Sequence, residues 1–345
     1  MTDRSQGRLP RHESCEIYLT GRLIKHFKSI YINVLHGITR VLSCGLRTLH
    51  RLNDPSMHPS EHALTARQAR ALIAAQMPDL AGQPLRRIGA EGTDNVLFRL
   101  GPQLLLRFPR LPHAAAQLDR IARFLPTLAP ALHLPVPLPL RVGSPGDGYP
   151  FPWMVTDWLP GHPAPPSLTN PGPALALAAT LRALHAQPLP TDAPYRASDA
   201  LDRRLAALEA FIPKVTETDQ KPLFALLTRL RALPPPGEPQ VWSHGDLHPL
   251  NLLIQRGKLT ALIDWGTLGA GDPAMDLLPA FMAFDGAARA AFLDAMAPTE
   301  AALDRARAIT LAKIVHGLPY YRVSNPAFHS ILRASLGRLL ADPGP

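Results

Sequence analysis

Cysteine is nearly absent. The 345-residue chain holds two, Cys15 and Cys44, with no CxxC pair and no metal-ligand spacing. That excludes a disulfide framework and a thiolate metal site, and a reducing, cytoplasmic setting is the expectation. No stretch reaches the ~18 uncharged apolar residues of a membrane span. The N-terminus also lacks the charged, apolar, small-residue order of a secretory signal. Charged residues are scarce at 18%, and acidic ones are outnumbered, 27 against 36 Lys and Arg, for a formal net charge of +9. The excess is arginine scattered through helix-like segments, without a basic block in the main body. Nucleic acid is therefore not the expected partner.

Proline, by contrast, is abundant at 39 residues, clustered between apolar stretches where it reads as loop punctuation. Residues 1–56 differ from the rest: they hold both cysteines, two of the few lysines and many isoleucines. Ile24, Phe27, Tyr31, Leu35, Ile38 and Leu42 fall at spacings of three and four with Arg22, Lys25, Lys28 and Arg40 among them. Two readings stand. One is a basic amphipathic helix suited to surface contact with a membrane. The other, favoured by the break in composition, is sequence upstream of a working start at Met57.

From residue 57 to about 160 the chain reads as a helix-like run over Ala63–Gln76 and then strands around a second helix. Leu85–Ile88, Val96–Leu100 and Leu104–Phe108 form a meander, with a glycine-rich polar turn before the second strand. A helix is predicted over His113–Phe124, an extended run over Leu134–Leu140, where repeated prolines forbid a helix, and a strand over Phe151–Trp158. Residues 161–345 read mostly as helices, with predicted spans Pro173–Ala186, Ala200–Ile212, Pro222–Leu233, Ala287–Met296 and Thr299–His316. The class is α+β, strands first and helices after.

The chemistry concentrates in Val241-Trp-Ser-His-Gly-Asp-Leu-His-Pro-Leu-Asn-Leu-Leu-Ile254, followed by Leu259-Thr-Ala-Leu-Ile-Asp-Trp-Gly266. Asn251–Ile254 and Leu259–Ile263 suit two short buried strands joined by a Gln255–Lys258 turn. Such a hairpin would hold the oxygens of Asp246, Asn251 and Asp264 at one rim. Phosphoryl transfer needs a carboxylate to take or orient the proton of the attacking hydroxyl, and hard oxygen ligands for magnesium. Asp246 and Asn251 stand five apart, the spacing of the catalytic Asp and metal-binding Asn in the kinase loop H-R-D-L-x-x-x-N. Asp264-Trp-Gly stands where kinases have Asp-Phe-Gly.

His244-Gly-Asp-Leu-His-Pro-Leu-Asn251 with Ile263-Asp-Trp-Gly266 resembles the aminoglycoside phosphotransferase and choline kinase-like superfamily, and Gly271-Asp-Pro-Ala-Met-Asp-Leu277 is similar to its next block. The resemblance covers about residues 60–340. It implies a two-lobed, protein-kinase-like fold, with a small antiparallel-sheet lobe at 57–160 and a larger, mostly helical lobe at 161–345. It implies ATP as donor, with GTP not excluded, Asp246 as base, and magnesium on Asn251 and Asp264. Gly92, Thr93, Asp94 and Asn95 resemble the family's phosphate loop, and Arg107 stands where kinases place a strand lysine. Val155–Gly161 looks like the connector between lobes.

One position departs from the pattern. Where a helix carboxylate should steady Arg107, the chain has Ile121, with Asp119 the nearest acid. A catalytically weakened, kinase-like nucleotide- or ligand-binding protein is therefore the alternative. His244 and His248 read as buried histidines that orient the loop, and Asp272 and Asp276 as structural, Asp272 capping a helix or tying down the loop. Only a short loop with a single Thr267 separates Asp264 from Asp276, too little for a regulatory loop or protein-substrate platform. The expected acceptor is a small-molecule hydroxyl: an antibiotic, a sugar or a metabolic alcohol. From Leu277 onward acids number five against seven basic residues, a poor match to a tricationic antibiotic, while Asp192–Asp219 is more acidic and keeps that option open.

Overall fold

The computed structural model describes residues 61–89, 94–195, 200–233 and 237–342. The amphipathic pattern of residues 1–56 lies outside these, as do Gly92 and Thr93. Helix α1 (Ala66–Gln76) opens with a capping box, Thr65 and Gln68 satisfying each other's backbone N–H groups. Strands β1 (Leu85–Arg87), β2 (Asn95–Leu100) and β3 (Leu104–Pro109) lead into α2 (Pro112–Leu128), and β4 (Pro139–Gly143) and β5 (Trp153–Asp157) complete a five-stranded sheet. Its order is β1-β2-β3-β5-β4, every pairing antiparallel. Two predicted spans shift here. The proline-rich run of 134–140 is free of helix as expected and continues as β4 from Pro139, and the last strand starts at Trp153, since Pro152 has no N–H for the ladder.

The small lobe has its own core. Val96, Phe98 and Leu100 point inward at the strand period of two and meet Leu72, Ile73, Phe108 and Trp153. The Phe108 and Trp153 rings stack at 5.0 Å. Gly143, paired with Trp153 across β4–β5, has no room for a side chain: a Cβ there would lie 2.0 Å from the indole.

Beyond the connector come β6 (His162–Pro163), α3 (Pro171–His185), α4 (Ala200–Phe211), α5 (Lys221–Leu230), β7 (Val241–Ser243), β8 (Leu252–Gln255), β9 (Lys258–Leu262), β10 (Gly269–Gly271), α6 (Pro279–Met282), α7 (Gly286–Met296), α8 (Glu300–Ser324) and α9 (Pro326–Ala341). A second, larger core gathers Trp242, Trp265 and the inner faces of these helices. Helix α2 contributes Leu118, Ile121, Leu125 and Leu128 to it, at the three-and-four spacing of one helical face. Helix α8 runs past the predicted end at His316 and through Pro319. The proline removes one hydrogen bond, but burial of Leu318 and close packing on α9 offset that. A Cβ on Gly317 would lie 2.5 Å from Leu332. Helix α9 itself was not anticipated, although Pro326 at its first position and Asn325, whose side chain accepts from the Phe328 N–H, are ordinary start signals.

Candidate active site

The segment after β7 is held from behind by one buried carboxylate. Asp276 accepts from Ser243 Oγ (3.0 Å) and the Gly245 N–H (2.8 Å) on one oxygen, and from the His244 N–H (3.2 Å) on the other. His185 Nε2 lies 2.9 Å from that second oxygen. Burial opposes the charge, but these partners hold the Asp276 carboxyl below its ordinary value. Both acids of the Gly271–Leu277 block are thus structural, with divided tasks. Asp276 ties down the loop, while Asp272 caps the Ala274 N–H and pairs with buried Arg305 at 2.7 Å. Gly245 has φ +72°, a left-handed conformation that turns the chain so that Asp246 leaves the loop on its open side. His244 is fully buried, and burial keeps its imidazole below the ordinary value. As a neutral ring it donates from Nε2 to the Ile263 carbonyl (3.0 Å) and accepts the Asp246 N–H at Nδ1 (3.3 Å).

Asp246 meets two side chains. One carboxylate oxygen takes an ion pair from Lys313 of α8; the other lies 3.7 Å from His248 Nε2. Burial raises its proton affinity, but the Lys313 ammonium and His248 outweigh that and hold the carboxyl well below the usual range. The Asn251 amide nitrogen donates to the Asp246 carbonyl (2.8 Å) and lies 3.3 Å from His248 Nε2. This use of the nitrogen leaves the amide oxygen as the atom able to bind a cation.

The β8–β9 hairpin closes the other side. Arg256 and Gly257 both adopt positive φ, 50° and 74°, in a two-residue turn that matches strand twist. At its base the Ile263 N–H donates to the Asn251 carbonyl (3.0 Å), which sets Asp264 directly beyond Asn251. Asp264 is left-handed (φ +60°), half exposed, and pairs with Arg107 of β3 at 3.0 Å. The two residues expected to face opposite ends of a metal–phosphate group thus hold each other, joining β3 to the end of the β8–β9 hairpin.

This pair also answers the missing helix carboxylate. Ile121 is buried in the larger core, so no acid belongs there, and Asp119 is exposed. The α2 side chain that reaches the Asp264 turn is Gln117, one turn earlier. A Cβ on Gly266 would fall 2.5 Å from Gln117 Oε1 and 3.6 Å from Asp264 Oδ1. Arg120 donates to the Gly266 carbonyl at 3.1 Å.

Of the predicted phosphate loop, Asp94 and Asn95 are described. Asp94 lies 3.0 Å from His113 Nε2, and its carboxylate raises that imidazole above its ordinary value. Asn95 begins β2 opposite Pro109. Its Oδ1 and Arg107 Nε are sealed from water without a hydrogen-bond partner among the described residues.

Lys313 and Gln117 escaped the sequence reading. Lys313 stands 67 positions from Asp246 in a helix without a motif. Gln117 could be found only by knowing which face of α2 turns to the cleft.

Comparison with known proteins adds an independent line. The family model described as the phosphotransferase enzyme family, APH, matches residues 85–309. The GDP and kanamycin complex of APH(2")-IIia is similar at 20% identity and TM-score 0.64, over 80% of this chain and 99% of that one. The macrolide 2'-phosphotransferase MphH from Brachybacterium faecium, an apoenzyme, is similar at 22% identity and TM-score 0.53, over 81% and 98%. Macrolide 2'-phosphotransferase type I gives 20% identity and TM-score 0.55, over 80% and 98%. With these likenesses, the α+β arrangement is the two-lobed, protein-kinase-like fold expected from the motif.

Proposed function

Because the chain belongs to the phosphotransferase enzyme family APH, we propose that it moves the γ-phosphoryl group of ATP to a hydroxyl of a small molecule, with GTP an admissible donor. The observations that carry this reading are the Arg107–Asp264 pair, which joins the sheet to the hairpin, and the Asn251 bonds to the Asp246 carbonyl and the Ile263 N–H, which join the hairpin to the loop. Similar structures hold GDP with kanamycin in one case and ADP in another.

Asp246 receives the proton as the hydroxyl oxygen attacks the γ-phosphorus and the bond to the bridging β-phosphate oxygen breaks. Its low proton affinity keeps it charged and able to orient that hydroxyl. Two hard oxygen donors suit magnesium: the Asn251 amide oxygen and the half-exposed Asp264 carboxylate. Asn251 and Asp264 would hold the ion, which when bound neutralises phosphate charge. Arg107 would turn its fork to the phosphates, and Asp94 and Asn95, with Gly92 and Thr93, would cover them. In this reading residues 57–160 are the nucleotide lobe and 161–345 the acceptor lobe.

The alternative of a weakened binding protein rested on Arg107 lacking a helix carboxylate. Arg107 pairs instead with Asp264, the residue assigned here to magnesium, so the alternative stands as the second outcome of the test. The test is ADP release over a panel of hydroxyl-bearing antibiotics, sugars and alcohols. On an acceptor so identified, Asp246→Asn should turn over about 10²-fold more slowly or worse. Undiminished turnover would remove Asp246 from its role.

A further inference from the structure

Lys313 has no part in the family motif, yet it is the side chain in closest contact with Asp246. It projects from the middle of α8, a quarter exposed, and its ammonium lies 5.6 Å from the centre of the Phe328 ring. That ring is buried and packs on His248 (4.7 Å) and the partly exposed Tyr321 (4.9 Å), giving an aromatic wall beside Lys313.

A polycationic acceptor needs free carboxylates near this wall, and among the described residues Glu217, Asp304 and Asp342 are already paired. Glu217 is bound by Arg322 (2.8 Å) and His329 (3.1 Å). Asp304 pairs with Arg307 at 2.7 Å, and Asp342 is shared by Arg289 and Arg307 at 2.9 Å each. Of the acidic stretch that kept a cationic antibiotic open, Asp192 pairs with Arg123 and Glu209 with Arg231 at the surface, while Asp219 is exposed and accepts the Lys221 N–H. Glu300 stands at the far end of α8, about 20 Å along the axis from Lys313. An ammonium entering beside Asp246 would meet Lys313 and be repelled. A carboxylate or phosphate would instead share the Lys313 charge with Asp246 while its own hydroxyl turned to the base.

Resting on the phosphotransferase reading and extending it to the substrate, we infer that the acceptor is an anionic alcohol, a hydroxyl compound carrying a carboxylate or phosphate, and that Lys313 binds its negative group. Phe328 and Tyr321 cover the carbon skeleton between hydroxyl and anion. Lys313 is thus a specificity-determining residue, distinct from those that hold the nucleotide.

The test uses thermal stability and calorimetric titration of the full chain with magnesium and a non-hydrolysable ATP analogue. Stabilisation by the analogue alone reports on the phosphotransferase reading; its absence defeats that reading whatever the acceptor arms give. The acceptor probes are matched: glycerate and glycerol 3-phosphate against glycerol, gluconate against glucose, and kanamycin as the polycation. The first two separate a carboxylate from a phosphate. At least one anion should bind about tenfold or more tightly than its neutral mate, the worth of one charge-assisted contact. Lys313→Gln should erase that preference and Lys313→Arg keep it, with unliganded melting as the check that each variant folds. The inference is overturned if no anion binds, if glycerol, glucose or kanamycin binds as tightly as the anions, or if the preference survives Lys313→Gln.

Discussion

Asp276→Ala removes a single side chain and four hydrogen bonds at once. Three of its partners are fully sealed: the Ser243 hydroxyl and the N–H groups of His244 and Gly245. The fourth, His185, is only slightly exposed. Alanine leaves these donors without acceptors and without room for bulk water. An orphaned buried donor costs about 1–3 kcal/mol. Because the donors share one acceptor group, the costs overlap, and a loss of about 3–5 kcal/mol is expected. That is a large share of the roughly 5–15 kcal/mol that keeps a domain folded. Urea titration should place the midpoint well below wild type with an unchanged slope, and melting should fall by about 10 °C. Amide exchange in the loop after β7 should quicken more than in the small lobe, since the tether acts locally. A loss under about 1 kcal/mol with unchanged loop exchange would mean that Asp276 does not hold the loop.

Gly143→Ala should destabilise the small lobe by about 1–3 kcal/mol, because the new methyl must displace an indole pinned against Phe108. Calorimetry showing no change in melting would contradict that packing. Acid sensitivity follows from the carboxyls of Asp276, Asp285, Asp342 and Glu217, all held below their ordinary values against burial by their partners. Groups lowered in the folded state contribute fully above the unfolded values and lose that contribution as pH falls through the folded ones. The urea midpoint should therefore drop steeply from about pH 4 downward. Asp276→Ala should show a shallower drop; a parallel decline would assign the acid loss to other groups.

What the sequence made legible was local. Apolar runs split by Gly101-Pro102 located β2 and β3, and the Gln255–Lys258 segment marked the hairpin turn. The spacing of Asp246, Asn251 and Asp264 announced one site because a loop and the next hairpin bring close sequence neighbours together. Long-range facts were hidden. Ile121 could be read as a lost carboxylate only until α2 was seen to bury that face, leaving Gln117 toward Gly266. Helix α8 seemed to stop where Gly317 and Pro319 follow, because local propensity argues against continuation and only packing on α9 reverses it. Lys313 carries no local signal at all. Its meaning comes from tertiary packing alone.

The central claim is that Asn251 and Asp264 present oxygens to a divalent ion beside a nucleotide. Melting of the full chain with ATP, with and without magnesium, tests it in wild type and in Asp264→Asn. Ligand at about a hundred times its dissociation constant adds about 2.7 kcal/mol, or roughly 5–10 °C. The expected result is a shift of that size for wild type with both ligands, a smaller one without magnesium, and no magnesium effect in Asp264→Asn. No shift in wild type, or an equal magnesium effect in the variant, would contradict the claim.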